Sequence, residues 1–128
     1  MKFTFAALVP FMAVFAAASP IEARAWSQVT VALSNDQSGA YSGVGFLADG
    51  TDKSILSLFG STSVGAGGIV KANAAQLTAF PQSINCVIKN NGAVIGTLTA
   101  QHTYADIDGN PNAVVPINLN NAQINCHA

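Results

Sequence analysis

Two segments of this chain read alike, and each carries one of its only two cysteines. Ser83-Ile84-Asn85-Cys86-Val87-Ile88-Lys89 and Gln123-Ile124-Asn125-Cys126-His127 share the tripeptide Ile-Asn-Cys. In an extended strand, alternate residues lie on one face. Ile84, Cys86 and Ile88 then point one way, with Asn85 and Lys89 opposite. Ala122, Ile124 and Cys126 share a face, with Gln123, Asn125 and His127 on the other. Both cysteines fall on the apolar face of a strand, where a bridge between them lies in the core. Turning either one outward puts Ile84 or Ile124 in water with it. A Cys86–Cys126 bond closes a loop of about 40 residues, which chain entropy values at roughly 4 kcal/mol.

The N-terminus bears on whether these thiols are oxidised. Lys2 precedes an uncharged run from Phe3 to Ala18, with small residues at Ala16 and Ala18. That is the pattern of a secretory signal peptide. The run is shorter than the ~20 residues a spanning helix needs, and Pro10 interrupts it. Cleavage is expected after Ala18, and Ala23-Arg24-Ala25 offers a second position. Residues 1–18 are therefore read as a signal peptide, 19–25 as a short pro-segment and 26–128 as the mature domain. The mature protein is expected to be secreted, extracellular and free of the membrane once the signal is cut. Two cysteines in a small chain in an oxidising compartment are expected to pair. Metal capture is not expected, because there is no Cys-x-x-Cys and the two histidines stand apart.

The 50% hydrophobic content and mean hydropathy of +0.38 include the leader. After residue 25 the charges are Lys53, Lys71 and Lys89 against Asp36, Asp49, Asp52, Asp106 and Asp108. Three positive and five negative give a net −2. No basic patch exists, so nucleic-acid binding lacks its electrostatic footprint. A mature chain of roughly 100 residues is one domain. Glu and Arg are absent after residue 24, while Gly, Ser, Thr, Asn and Val are abundant. Such a composition suits strands and turns.

Strands are predicted at 27–33, 44–48, 69–77, 84–89, 93–99, 102–104, 114–119 and 122–126. Asp49-Gly50 is read as a turn closing the second. Asn90-Asn91-Gly92 marks a hairpin, because Asn and Gly accept positive φ. Ile55, Leu58 and Phe59 have helical spacing between Ser54, a capping residue, and Gly60, a stop. Gly65-Ala-Gly-Gly68 is read as a flexible link. Pro116 cannot donate to a ladder, which places its strand at an edge. About seven short strands at this spacing define an all-β, single-domain fold. It is an antiparallel β-sandwich or a small β-barrel with one short helical turn and one disulfide.

No residue set stands out as catalytic. His102, Asp106 and Asp108 are the one histidine–carboxylate cluster, but no positioned serine accompanies them and there is no Gly-x-Ser-x-Gly. The mature chain is therefore not expected to be an enzyme, and no cofactor is implied. Asp106-Ile-Asp108-Gly109-Asn110 resembles the start of a calcium loop. Pro111 then stands where that loop wants glycine and Ile117 where it wants glutamate, so calcium is disfavoured. An Asx-stabilised turn explains the same residues. Trp26, Tyr41 and Tyr104 are the large aromatics with polar atoms. They are candidates for stacking on a sugar ring, set against ordinary packing with exposed polar tips.

The leader, the stretch from Val29 to Gly39 (Val-Thr-Val-Ala-Leu-Ser-Asn-Asp-Gln-Ser-Gly) and the two late cysteines resemble the small secreted proteins of filamentous fungi. Ala-Asp-Gly at 48–50, Ile-Leu-Ser-Leu-Phe at 55–59 and Tyr-Ala-Asp-Ile-Asp-Gly at 104–109 add to the likeness. Some members of that group are elicitors that induce a hypersensitive response in plants. The resemblance implies a compact β-fold, an extracellular location and no catalytic residues, and it transfers no site residue. Two functions are expected from these readings. One is a secreted non-enzymatic effector or elicitor acting through surface recognition in a plant–fungus interaction, with a host plant protein or cell-wall glycan as partner. The other is an extracellular module that binds carbohydrate or a cell-wall glycan. A monomer is expected in either case.

Overall fold

The computed structural model describes residues 27–110 and 112–128. The predicted signal peptide, the pro-segment and Trp26 lie outside these residues. The described elements are β1 (Gln28–Asn35), β2 (Ala40–Leu47), β3 (Asp49–Ser54), α1 (Ile55–Phe59), a 3-10 segment (Ser63–Gly68), β4 (Lys71–Ala72), β5 (Ala74–Ala79), β6 (Asn85–Asn90), β7 (Ala93–Thr99), β8 (Tyr104–Asp106), β9 (Ile117–Asn118) and β10 (Ala122–His127). They form two four-stranded sheets, β2-β1-β5-β8 and β3-β10-β6-β7, with a small β9-β4 ribbon. Every pairing is antiparallel.

The two sheets share one core. Val29, Val31 and Leu33 point into it from β1, and Cys86, Ile88, Leu98, Ile124 and Cys126 from the other sheet. This is the sandwich of the two architectures the sequence allows, because the sheets remain separate ladders. The chain changes sheet between β2 and β3 through the single buried residue Ala48, whose N–H donates to Ser27 O at 2.8 Å. At the opposite seam, Thr99 and His102 exchange backbone bonds of 2.9 and 3.0 Å, which sets β8 beside β7.

The twin Ile-Asn-Cys segments are the paired strands β6 and β10. Ile88 faces Ile124 and Cys86 faces Cys126 in register. The cysteines are bonded, both buried, with Cα atoms 4.0 Å apart. That close spacing is the narrow type of antiparallel pair, in which side chains approach most closely. The hairpin between β6 and β7 turns at Asn91 and Gly92, with φ of 54° and 85°. Both are positive, as the two-residue hairpin turn requires. The helical turn forms as read: Ser54 Oγ accepts from Ser57 N at 3.1 Å, and Ile55 and Phe59 are buried.

Several local readings change. Asp49-Gly50 is not a closing turn but opens β3, which pairs with β10, while Gly50 has a positive φ of 80°. The predicted 69–77 strand breaks at Asn73 into β4 and β5. The predicted 114–119 strand contracts to two residues of β9, and the 102–104 strand moves to 104–106. Gly65-Ala-Gly-Gly68 belongs to the 3-10 segment. A Cβ at Gly65 would lie 2.5 Å from Phe59 O and 2.7 Å from Gly60 O, so the chain closes tightly there only without a side chain.

Candidate functional site: a groove at Tyr104

Strand register decides which side chains meet on the outer face of the β2-β1-β5-β8 sheet. Tyr41, Ser34, Ala74 and Asp106 form one row across it, and Gly43, Ala32, Gln76 and Tyr104 the next. Cross-strand partners share a face, so Tyr41 and Tyr104 lie on the same side of one sheet. They stand on opposite edge strands, three strand spacings or roughly 14 Å apart, and in adjacent rows. Each is about half exposed, at 56% and 51%. The sheet brings them to one face without bringing them together.

Tyr104 has the richer surroundings. Two concavities share it and Asp106. One, of about 290 Å³, is bounded by Asp36, Asn73, Asn110 and Val114. The other, of about 560 Å³, is bounded by Thr97, Thr99 and His102. They adjoin at these two residues of the short edge strand β8, and the pair is called the Tyr104 groove. Bare backbone at Gly96 lets β8 and its flank approach β7: a Cβ there would lie 3.0 Å from Ile107 Cγ2.

Side chain–backbone bonds hold the groove's outer wall. Asn73 is buried, at 4% exposure. Its Oδ1 accepts from Asp36 N at 2.7 Å and its Nδ2 donates to Asp36 Oδ2 at 3.0 Å. Its backbone joins Ser34 O at 2.9 Å and Ile107 N at 3.0 Å. Asn35 Oδ1 accepts from Gln37 N and Ser38 N, which shapes the β1–β2 turn that carries Asp36. Across the groove, Asp108 accepts from Asn110 N at 3.0 Å and from Val115 N at 2.9 Å, and Asn110 Oδ1 accepts from Asn112 N at 3.1 Å. The loop after β8 is thus folded by Asx turns. Both Asp108 oxygens are committed to backbone amides.

The charges are unevenly placed. Asp49 pairs with Lys53 at 2.8 Å and Asp52 with Lys89 at 3.5 Å, all on the β3-β10-β6-β7 sheet. Asp36, Asp106 and Asp108 have no ion pair among the described residues, so the net negative charge gathers at Tyr104. Burial first, then the charges of Asp106, Asp36 and Asp108, pushes the Tyr104 phenol above its ordinary value. The phenol therefore remains a proton donor at neutral pH. Asp106 is pushed up, chiefly by its hydrogen bond with Asp108. Asp108 is held down by that bond and by the Val115 and Asn110 amides. Asp106 therefore takes up a proton before Asp108 as pH falls.

Of the sequence candidates, Cys86 and Cys126 form the core bridge, and Tyr41 and Tyr104 share a face. Asp106 and Asn110 line the groove, whereas Asp108 braces the loop behind it. No group of three His, Cys, Asp or Glu among the described residues is arranged to hold a metal ion. His102 and Asp106 border the same concavity, and among the described residues no serine lines either one. Sequence reasoning missed Asp36, Asn73 and Val114. The available signal was Asn-Asp at 35–36, a turn dipeptide before Gly39. Nothing local marked Asn73 as its partner. No protein-family model, curated protein or solved structure matches the chain.

Proposed function

We propose that this protein is a secreted, non-enzymatic effector or elicitor that acts by surface recognition in a plant–fungus encounter, with the Tyr104 groove as its contact surface. One observation carries the choice of surface. Tyr104 is a half-exposed aromatic standing between two concavities lined by hydrogen-bonding groups. Convergent polar groups around an accessible apolar surface are the usual form of a binding site. The extracellular setting rests on the leader sequence, and a buried disulfide is compatible with it. The plant–fungus context rests on the resemblance drawn from the sequence.

The same observation favours a second reading, an extracellular carbohydrate or cell-wall binding module. Leaf infiltration with purified protein tests the first reading. Local cell death is expected with the native protein and a much weaker response with Tyr104→Ala. No response in several hosts at micromolar dose would reject the effector reading. Sedimentation with insoluble chitin and glucan tests the second.

A further inference from the structure

We infer that the Tyr104 groove binds a linear, neutral oligosaccharide through at least two subsites, one on either side of the tyrosine. This deepens the proposal that the groove is a recognition surface, and rests on it. The two concavities share Tyr104 and Asp106, so a ligand occupying both passes these two residues. A pyranose presents a C–H face that packs on an aromatic ring, and its rim of hydroxyls needs partners on either side. The groove supplies both. Thr97, Thr99 and His102 flank one side, Asp36 and Asn110 the other, and Asp106 is common to both.

Charge narrows the class. Among the described residues no lysine or arginine lines either concavity, and two aspartates without ion pairs, Asp36 and Asp106, do. A uronate polymer would bring like charge to those carboxylates, whereas a neutral sugar donates its hydroxyls to them. A protein partner fits less well. The centres of protein interfaces are apolar and poor in charge. Among the described residues Val114 is the one large aliphatic in the lining, against two aspartates and several amides and hydroxyls.

Titration of the described protein with laminarihexaose, cellohexaose and chitohexaose, followed by amide chemical shifts, tests this. Polygalacturonate is the anionic control. At least one neutral hexamer is expected to shift the amides of β8, of Thr97–Thr99 and of Asn110–Val114 together. Its disaccharide should bind at least about tenfold more weakly, because it fills one subsite. Tyr104→Ala should weaken the hexamer about tenfold or more, as truncation of a central aromatic contact does. Tyr104→Phe keeps the ring and should retain most of the affinity. Four results would overturn the inference: no neutral hexamer binding at millimolar concentration, tighter binding of polygalacturonate, equal affinity for disaccharide and hexamer, or an unchanged Tyr104→Ala. Leaf cell death measured in parallel separates the two claims. Cell death without glycan binding rejects the inference and leaves the effector reading standing. Glycan binding without cell death supports the inference and rejects the effector reading.

Discussion

The two sheets are tied together by different means. In β3-β10-β6-β7 the cross-links are covalent and ionic. The Cys86–Cys126 bond joins β6 to β10 in the core. On the other face, Asn125 Nδ2 donates to Asp52 at 3.0 Å and Lys89 reaches the same carboxylate at 3.5 Å, so three strands meet at one group. In β2-β1-β5-β8 no disulfide or ion pair joins the described strands. Its distinctive tie is the Asn73–Asp36 pair, which links the β1–β2 turn to the break between β4 and β5. The disulfide sheet also closes a longer loop. Asn125 and Gly50, which bond at 2.9 Å, are 75 residues apart. Closing so long a loop costs entropy, and a bridge that shortens the free chain offsets part of that cost. The other sheet begins as a local hairpin and ends in a three-residue edge strand. That edge has few ties of its own, and there the groove is built.

The largest test of this contrast is removal of the bridge. Cys126→Ser should lower stability by about 2–5 kcal/mol in denaturant melts. That is a large share of what a domain of this size commonly holds. A loss below about 1 kcal/mol would mean that β10 is held by packing alone. Next in size is Asn73→Ala, which strips a buried partner from Asp36 and should cost about 1–3 kcal/mol. Its effect should also reach the groove, broadening the amide resonances of Asp36 and Ile107. A sharp, native spectrum there would show that the wall stands without it.

The smallest stability effect is expected from Lys53→Ala, because exposed ion pairs contribute little. Its signature lies in pH. The Asp49 carboxyl is held well below the usual carboxylate range by hydrogen bonds from Lys53 and Thr51. Asp52 is lowered chiefly by Asn125. A lowered folded-state value means that the stabilisation is complete above the unfolded value of about 4 and is lost as pH falls through the folded one. Asp106, raised by Asp108, has the opposite sign and loses its contribution as pH rises through its folded value. Urea midpoints should therefore fall as pH drops below about 4, and less steeply in Lys53→Ala. An identical slope in the variant would remove Lys53 from the account.

Local chemistry made most of the disulfide sheet readable and only part of the groove. Alternation placed Cys86, Ile88, Ile124 and Cys126 inward, and Asn91-Gly92 fixed the hairpin between β6 and β7. Ser54 and the spacing of Ile55 and Phe59 revealed α1. The strand β3 was missed because Asp-Gly-Thr-Asp-Lys-Ser carries no apolar alternation. Its pairing is imposed by β10 and by hydrogen bonds to Asn125 and Lys89, which no local window contains. The groove was half legible. Tyr104 stands out in the sequence as one of three aromatics with polar atoms, and Asp106 and Asn110 only as the start of a disfavoured calcium loop. Asp36 and Asn73 lie 37 residues apart, and only the fold makes them one structure.

Native-state hydrogen exchange tests the division between the sheets most directly. Amides of β6 and β10 around Ile88 and Ile124 are expected to exchange only through global unfolding, with a steep dependence on denaturant. Amides of β8 from Tyr104 to Asp106 should exchange at a lower free energy, through local opening that denaturant barely affects. Exchange of β8 at the same free energy as β6 and β10, with the same denaturant slope, would contradict the account.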